Sequence, residues 1–238
     1  MIRILSIITI ICVGLLTTSC VTTEYYPQKY QLGYGEFRVH GHHAKGSFRE
    51  DNGVFIFRLR PGDKSSDWAD VRRRREDEWH ERIELSQKNP FDKGLYLFSF
   101  DIKFEGKKFS DVTTIFQLHQ REKYRDYSEV GVISLPGFMQ KIWADGKTSP
   151  LLRSPPDWLY PKLVLGKFYN MRWEFDIGGV GEVKFYLNNK YIDTYGVAWR
   201  DKGLNGYIKF GIYRTAGGYN PQPLSTHTVK NIVFKKIK

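Results

Sequence analysis

Tyr207-Ile208-Lys209-Phe210-Gly211-Ile212-Tyr213-Arg214 is the stretch whose reading decides the fold. Apolar and polar residues alternate along it with a period of two, the pattern of a strand with one buried face. Ile208, Phe210 and Ile212 fall on one side, and Tyr207, Lys209, Gly211 and Tyr213 fall on the other. The apolar side can enter a core. The opposite side carries two phenols and an ammonium, with a glycine leaving room against the backbone, and reads as the floor of a groove for a polar ligand.

Similar segments recur on both sides of this one. Phe37 to His43 reads as extended, and Val54 to Arg60 alternates before the turn Pro61-Gly62-Asp63. His80 to Leu85 reads as a strand, with a helix as the alternative because its neighbours are so charged. Gly94 to Phe104 and Thr113 to Gln120 are strong strands. Val130 to Leu135 and Gln140 to Ala144 read as two strands turning at Pro136-Gly137, followed by a Pro-rich loop over 146–162. Phe168 to Ile177 is a strand, Glu182 to Thr194 a hairpin turning at Asn188-Asn189, and Val229 to Ile237 the last strand. Many short strands, with no repeat and no long amphipathic helix, predict an all-β domain. The expected form is a two-sheet β-sandwich of jelly-roll (concanavalin-like) type with a concave substrate groove.

The N-terminus reads as a targeting segment. Arg3 precedes the apolar run Ile4 to Leu16, and Leu16-Thr-Thr-Ser-Cys20 follows, small residues before a cysteine as at a bacterial lipoprotein processing site. The expected organisation is a signal over 1–19, a lipid anchor at Cys20, a tether over 20–35 and one domain over 36–238. The chain would be an exported envelope lipoprotein, or alternatively a secreted protein. Cys12 and Cys20 are the only cysteines, and Cys12 lies inside the signal, so no internal disulfide is available to the domain.

The formal net charge is +11 in 238 residues, with 16% aromatic residues. An exported basic protein meets polyanions, and rings beside cations suit polymers of sugar acids. No nucleic-acid-binding motif is present, so nucleic acid is not an expected partner. A monomer is expected. Arg72 to Arg75 is a charge run that either is solvated or contacts a polyanion. His40, His42 and His43 cluster, but no carboxylate or cysteine spacing makes them a metal site. Asp63, Asp67, Asp70, Glu76 and Asp77 could hold a structural calcium, though not as an EF-hand.

Three strands share one property. Arg82 and Glu84 fall opposite Ile83 and Leu85; Gln117 and His119 fall opposite Phe116 and Leu118; Lys209 and Tyr213 fall opposite Phe210 and Ile212. If these strands are neighbours, Arg82, Gln117, His119, Lys209 and Tyr213 meet on one surface. The ordered set Arg82-Ile-Glu-Leu85, Gln117-Leu-His119 and Tyr207-Ile-Lys-Phe-Gly-Ile-Tyr213 resembles the signature strands of alginate lyases of polysaccharide lyase family 7. It is also similar to jelly-roll lyases acting on glucuronan and heparin, and the ending Phe210-Gly-Ile-Tyr-Arg214 looks closer to those.

The resemblance implies β-elimination on a uronate-containing polysaccharide. That reaction needs donors that neutralise the sugar carboxylate, a base for the C5 proton and an acid for the departing O4. By resemblance Gln117 and Arg82 serve the carboxylate, His119 is the neutral base, and Tyr213 is the acid and, for one epimer, also the base. Lys209 and Arg82 supply positive charge to the phenol, whose ordinary pKa is about 10. Glu84 orients Arg82. Lys209, Glu84, Tyr207, His80 and Arg214 are the expected substrate-binding side chains. No cofactor or metal is required. The first substrate class is alginate or a glucuronan-like polyuronate, and the second a heparin-type glycosaminoglycan. A non-catalytic carbohydrate-binding lipoprotein on the same fold and an envelope structural lipoprotein are the competing classes.

Overall fold

The computed structural model describes residues 28–41, 44–63, 65, 78–89, 91–122, 133–143, 146, 148–150, 162–177, 181–197, 206–217 and 222–238. In chain order the strands are β1 (Lys29–Leu32), β2 (Gly35–Gly41), β3 (Phe48–Asp51), β4 (Val54–Leu59), β5 (Glu78–Gln87), β6 (Gly94–Glu105) and β7 (Val112–Glu122). They continue with β8 (Ile133–Trp143), β9 (Thr148–Pro150), β10 (Phe168–Ile177), β11 (Glu182–Leu187), β12 (Lys190–Gly196), β13 (Gly206–Gly217) and β14 (Ser225–Lys236). Among the described residues there is no helix.

These strands form two seven-stranded sheets, in the orders β1-β2-β5-β13-β7-β8-β9 and β12-β11-β10-β6-β14-β4-β3. The all-β jelly-roll sandwich expected from the alternation is the fold observed. Strands distant in the chain lie side by side: β13 pairs with β5 on one edge and with β7 on the other, both antiparallel. The three motif-bearing strands are therefore neighbours.

The core is built from the apolar faces that the alternation defines. Ile83, Leu85, Phe116, Leu118, Ile208, Phe210 and Ile212 of the first sheet are fully buried. They face Phe57, Phe98, Phe100, Trp173 and Phe175 of the second, which are also fully buried. Phe210 is central to this contact, with ring centroids 5.3 Å from Phe98, 5.6 Å from Phe37, 5.7 Å from Phe100 and 5.9 Å from Phe57. Phe116 stacks on Trp173 at 4.4 Å. Burying each such ring contributes about 2–3 kcal/mol. Losing Phe210 to alanine would cost about 3–5 kcal/mol, because it fixes β13 against the opposite sheet.

The tight turns follow residue chemistry. Asn188 and Asn189 both have positive φ, 51° and 63°, and join β11 to β12 where the hairpin was expected. Asn52 (φ 51°) and Gly53 (φ 78°) join β3 to β4 in the same way.

Several expectations are corrected. His80 to Leu85 is strand, as first read, but belongs to the longer β5. Lys29–Leu32, in the expected tether, forms β1 and pairs with β2. Pro136-Gly137 is not a turn: both lie inside the single strand β8, where the register with β7 shifts between Leu118 and His119. The proline sits at that register irregularity, a place in a strand where the missing N–H is tolerated. Thr148–Pro150, in the expected Pro-rich loop, forms β9, while 151–161 lies outside the described residues. The expected signal, Cys20, Arg72 to Arg75, His42 and His43 also lie outside the described residues.

Candidate active site

Antiparallel register sorts the outward side chains of the first sheet into rows. Arg38 of β2, Ser86 of β5, Lys209 of β13, Gln117 of β7 and Met139 of β8 align in one row. Arg82, Tyr213, Thr114 and Lys141 align in another. Tyr207 pairs with His119. The expected residues Arg82, Gln117, His119, Lys209 and Tyr213 thus share one face of one sheet.

A continuous chain of contacts joins four of them, Gln117, His119, Arg82 and Tyr213. Gln117 Nε2 donates to the carboxylate of Glu84, and Gln117 Oε1 lies 2.9 Å from His119 Nε2. Glu84 forms an ion pair with Arg82 Nε at 3.4 Å. The Arg82 guanidinium carbon lies 4.2 Å from the centroid of the Tyr213 ring. Tyr213 Oη lies 3.0 Å from His80 Nδ1. Arg82 Nη1 also lies 3.5 Å from His40 Nδ1, so His40 reaches this face from β2.

This chain fixes a tautomer. Glu84 can only accept, so the Gln117 amide must present Nε2 to it and Oε1 to His119. His119 then donates through Nε2–H, and Nδ1 becomes the basic nitrogen of a neutral ring. Burial pushes the His119 pKa well below its ordinary value, and the positive charges of Lys209, Arg82 and His40 push it the same way. The imidazole is therefore neutral at pH 7. Its ring stacks on Tyr207 at 4.9 Å, with 17° between the planes, which holds its orientation.

Burial distinguishes the roles within the set. Glu84 and Gln117 are both buried; the Glu84 carboxylate accepts from Gln117 and pairs with Arg82, so it orients these two donors. Arg82, Lys209 and His119 each keep only a small exposed fraction, and Tyr213 and His80 are half-buried.

Arg214 is a correction. It was expected at the substrate, but it points into the sandwich and is buried. Its Nε pairs with the buried carboxylate of Glu81, and Nη1 donates to Ser110 Oγ at 2.9 Å, Ser225 Oγ at 2.8 Å and the Pro223 carbonyl at 2.6 Å. Gly211 is a second correction. It does not leave room for a ligand: a Cβ there would lie 2.5 Å from the Ile83 carbonyl oxygen and 2.8 Å from Glu84 Cα. Its φ of 143° marks an irregularity, where the β13–β7 register shifts between Phe210 and Tyr213. Buried His227 of β14 lies with Nδ1 3.1 Å from the Gly211 carbonyl and donates to it, tying this bulge to the opposite sheet.

Lys141 and His227 were missed at the sequence level. Lys141 was readable in principle, since alternation along Gln140 to Ala144 puts it opposite buried Ile142. Among the described residues no group of three or more His, Cys, Asp or Glu side chains is placed to hold a metal ion. Of the expected calcium ligands only Asp63 is described, and its Oδ2 accepts from the Arg60 backbone N–H at 2.7 Å.

The fold is similar to that of several solved structures. The family 7 alginate lyase A1-II′ in complex with product superposes with a TM-score of 0.58 at 14% identity, covering 81% of this chain and 84% of that one. Alginate lyase PA1167 from Pseudomonas aeruginosa gives a TM-score of 0.55 at 17% identity, covering 81% and 86%. Alginate lyase AlyC3 in complex with dimannuronate gives 0.52 at 12% identity, covering 82% and 80%. A sialidase gives 0.51 at 10% identity, with only 17% of its chain covered. No protein-family model and no curated protein matches the sequence. The class defined here is a fold: a jelly-roll sandwich of the kind seen in family 7 alginate lyases.

Proposed function

We propose that this protein is a polysaccharide lyase that cuts an acidic, uronate-containing polysaccharide by β-elimination. The observation that carries the reading is the convergence of Arg82, Gln117, His119, Lys209 and Tyr213 on one sheet face of an alginate-lyase-like fold.

The C5 proton of a uronate is only weakly acidic, because its removal puts a second negative charge beside the carboxylate. Arg82 and the second Nε2 hydrogen of Gln117, whose first goes to Glu84, bind that carboxylate and stabilise the enolate-like intermediate. His119, neutral and protonated at Nε2, takes the C5 proton at Nδ1. Tyr213 gives its phenol proton to O4 as the C4–O4 bond breaks and the C4=C5 bond forms. Where the C5 hydrogen and O4 lie on the same side, Tyr213 serves both steps. Arg82, stacked at 4.2 Å, favours the phenolate that each version needs. Alginate or a glucuronan-like polyuronate is the first substrate class and a heparin-type glycosaminoglycan the second. The scheme requires no metal. The chain works as an exported lipoprotein anchored through Cys20.

The test is purified protein against a panel of acidic polysaccharides, followed by ultraviolet absorbance. Elimination creates a conjugated 4,5-unsaturated uronate that absorbs. A binding module or a structural lipoprotein produces no such signal.

A further inference from the structure

His80 lies two residues before Arg82 on β5 and contacts the same phenol. Its Nδ1 is 3.0 Å from Tyr213 Oη, and the two rings lie 5.5 Å apart with 29° between their planes. We propose that His80 is a positioning residue for Tyr213: its Nδ1–H donates to the phenol oxygen and holds that oxygen ready to carry negative charge. This rests on the lyase reading and changes the part expected of His80, from substrate contact to partner of the acid.

A phenol has one hydrogen to give and lone pairs to receive. A histidine N–H seated on a lone pair leaves the phenol hydrogen for the departing O4. In the elimination the C5 proton goes to His119, the C5–H electron pair forms the C4=C5 bond, and C4–O4 breaks. O4 takes the Tyr213 proton, and at the end of the cycle His119 gives its proton to solvent while the phenolate regains one from water. Charge builds on Tyr213 Oη in that step, and a donor already aimed there strengthens as it builds. Arg82 acts on the same charge through the ring face, 4.2 Å from its centroid, and cannot orient the O–H bond.

Among the described residues, the other charged or titratable groups on this face are Arg38 and His40 of β2, Glu84 of β5, His119 of β7, Lys141 of β8, and Tyr207 and Lys209 of β13. They are unchanged by substitution at His80, so a change in Tyr213 titration reports the His80 contact.

Two variants test the proposal. His80→Phe keeps a ring and removes the donor; His80→Asn places an amide N–H near the position of Nδ1. Ultraviolet titration of tyrosine ionisation, taken as the difference between each protein and its Tyr213→Phe counterpart, isolates Tyr213. In His80→Phe the Tyr213 titration should move up by about one pH unit, the worth of one charge-assisted hydrogen bond. kcat should fall about tenfold with KM little changed, and the pH limb that Tyr213 governs should move the same way. His80→Asn should restore most of both. An unchanged Tyr213 titration in His80→Phe would overturn the proposal, as would a raised KM at constant kcat, which is the mark of a substrate contact. If wild-type protein makes no unsaturated product from any acidic polysaccharide, the lyase reading fails instead, and the titration still decides the hydrogen bond.

Discussion

The guanidinium of Arg82 lies over the ring of Tyr213, 4.2 Å from its centroid, with Glu84 holding the guanidinium from the side. The contact joins the two residues that the proposed lyase reading assigns to the uronate carboxylate and to the leaving oxygen. A planar guanidinium can do both at once; an ammonium cannot stack and pair in the same way.

Arg82→Lys therefore keeps the charge and loses the geometry. We expect kcat/KM to fall at least about tenfold, roughly the worth of one charge-assisted contact. Steady-state kinetics on the responsive polysaccharide would check this, and a fully active lysine variant would show that charge alone suffices.

Arg214 and Glu81 make the opposite prediction. Both are buried and paired inside the sandwich, away from the outer face. Arg214→Met should cost about 3–5 kcal/mol of stability, because it strands the Glu81 carboxylate in the core. Adding Glu81→Leu should recover much of that loss, since a well-packed apolar pair can replace a buried ion pair. Urea unfolding of the single and double variants measures both effects. A raised KM with stability intact would return Arg214 to the substrate.

His227 gives a pH dependence with a definite sign. Complete burial lowers its pKa to about 3, while the unfolded chain has an ordinary histidine near 6.5. Above about pH 6.5 the ring is neutral in both states and contributes no slope. Below that the unfolded chain takes up a proton and the fold does not, so stability falls by up to about 1.4 kcal/mol per pH unit toward pH 3. His119, also held neutral by burial, acts in the same direction. Urea midpoints between pH 7.5 and pH 5 should drop in the wild type and drop less in His227→Gln. Equal slopes in the two proteins would contradict the buried neutral histidine.

Alternation made much of this fold legible, because a half-buried strand writes its two faces into the sequence. Ile208, Phe210 and Ile212 marked one face of β13, and the pairs Arg82–Glu84 and Gln117–His119 marked the matching faces of its neighbours. The same rule places Arg214 two residues beyond Ile212, on the inner face, and Glu81 two before Ile83. Their buried pair was thus readable, and the charge of Arg214 obscured it. Asp51-Asn52-Gly53-Val54 is also a readable hairpin turn, and it marks β3. Other features were not local. Pro136-Gly137 looks like a turn until the pairing of β8 with β7 shows one strand running through it. The contact of His227 with the Gly211 carbonyl depends on how two sheets stack, and no short stretch of sequence encodes that.

The central claim is that one imidazole and one phenol on this sheet face act on the same uronate. The direct measurement is the growth of ultraviolet absorbance from a polyuronate with wild-type protein, His119→Asn and Tyr213→Phe, with binding of the polymer measured in parallel. On a polymer whose C5 hydrogen and O4 lie on opposite sides, we expect wild-type protein to generate the unsaturated product and each variant to lose about 10²-fold or more in kcat while still binding. Full activity in either variant on that polymer, or binding by the wild type with no absorbing product from any uronate polymer, would contradict it.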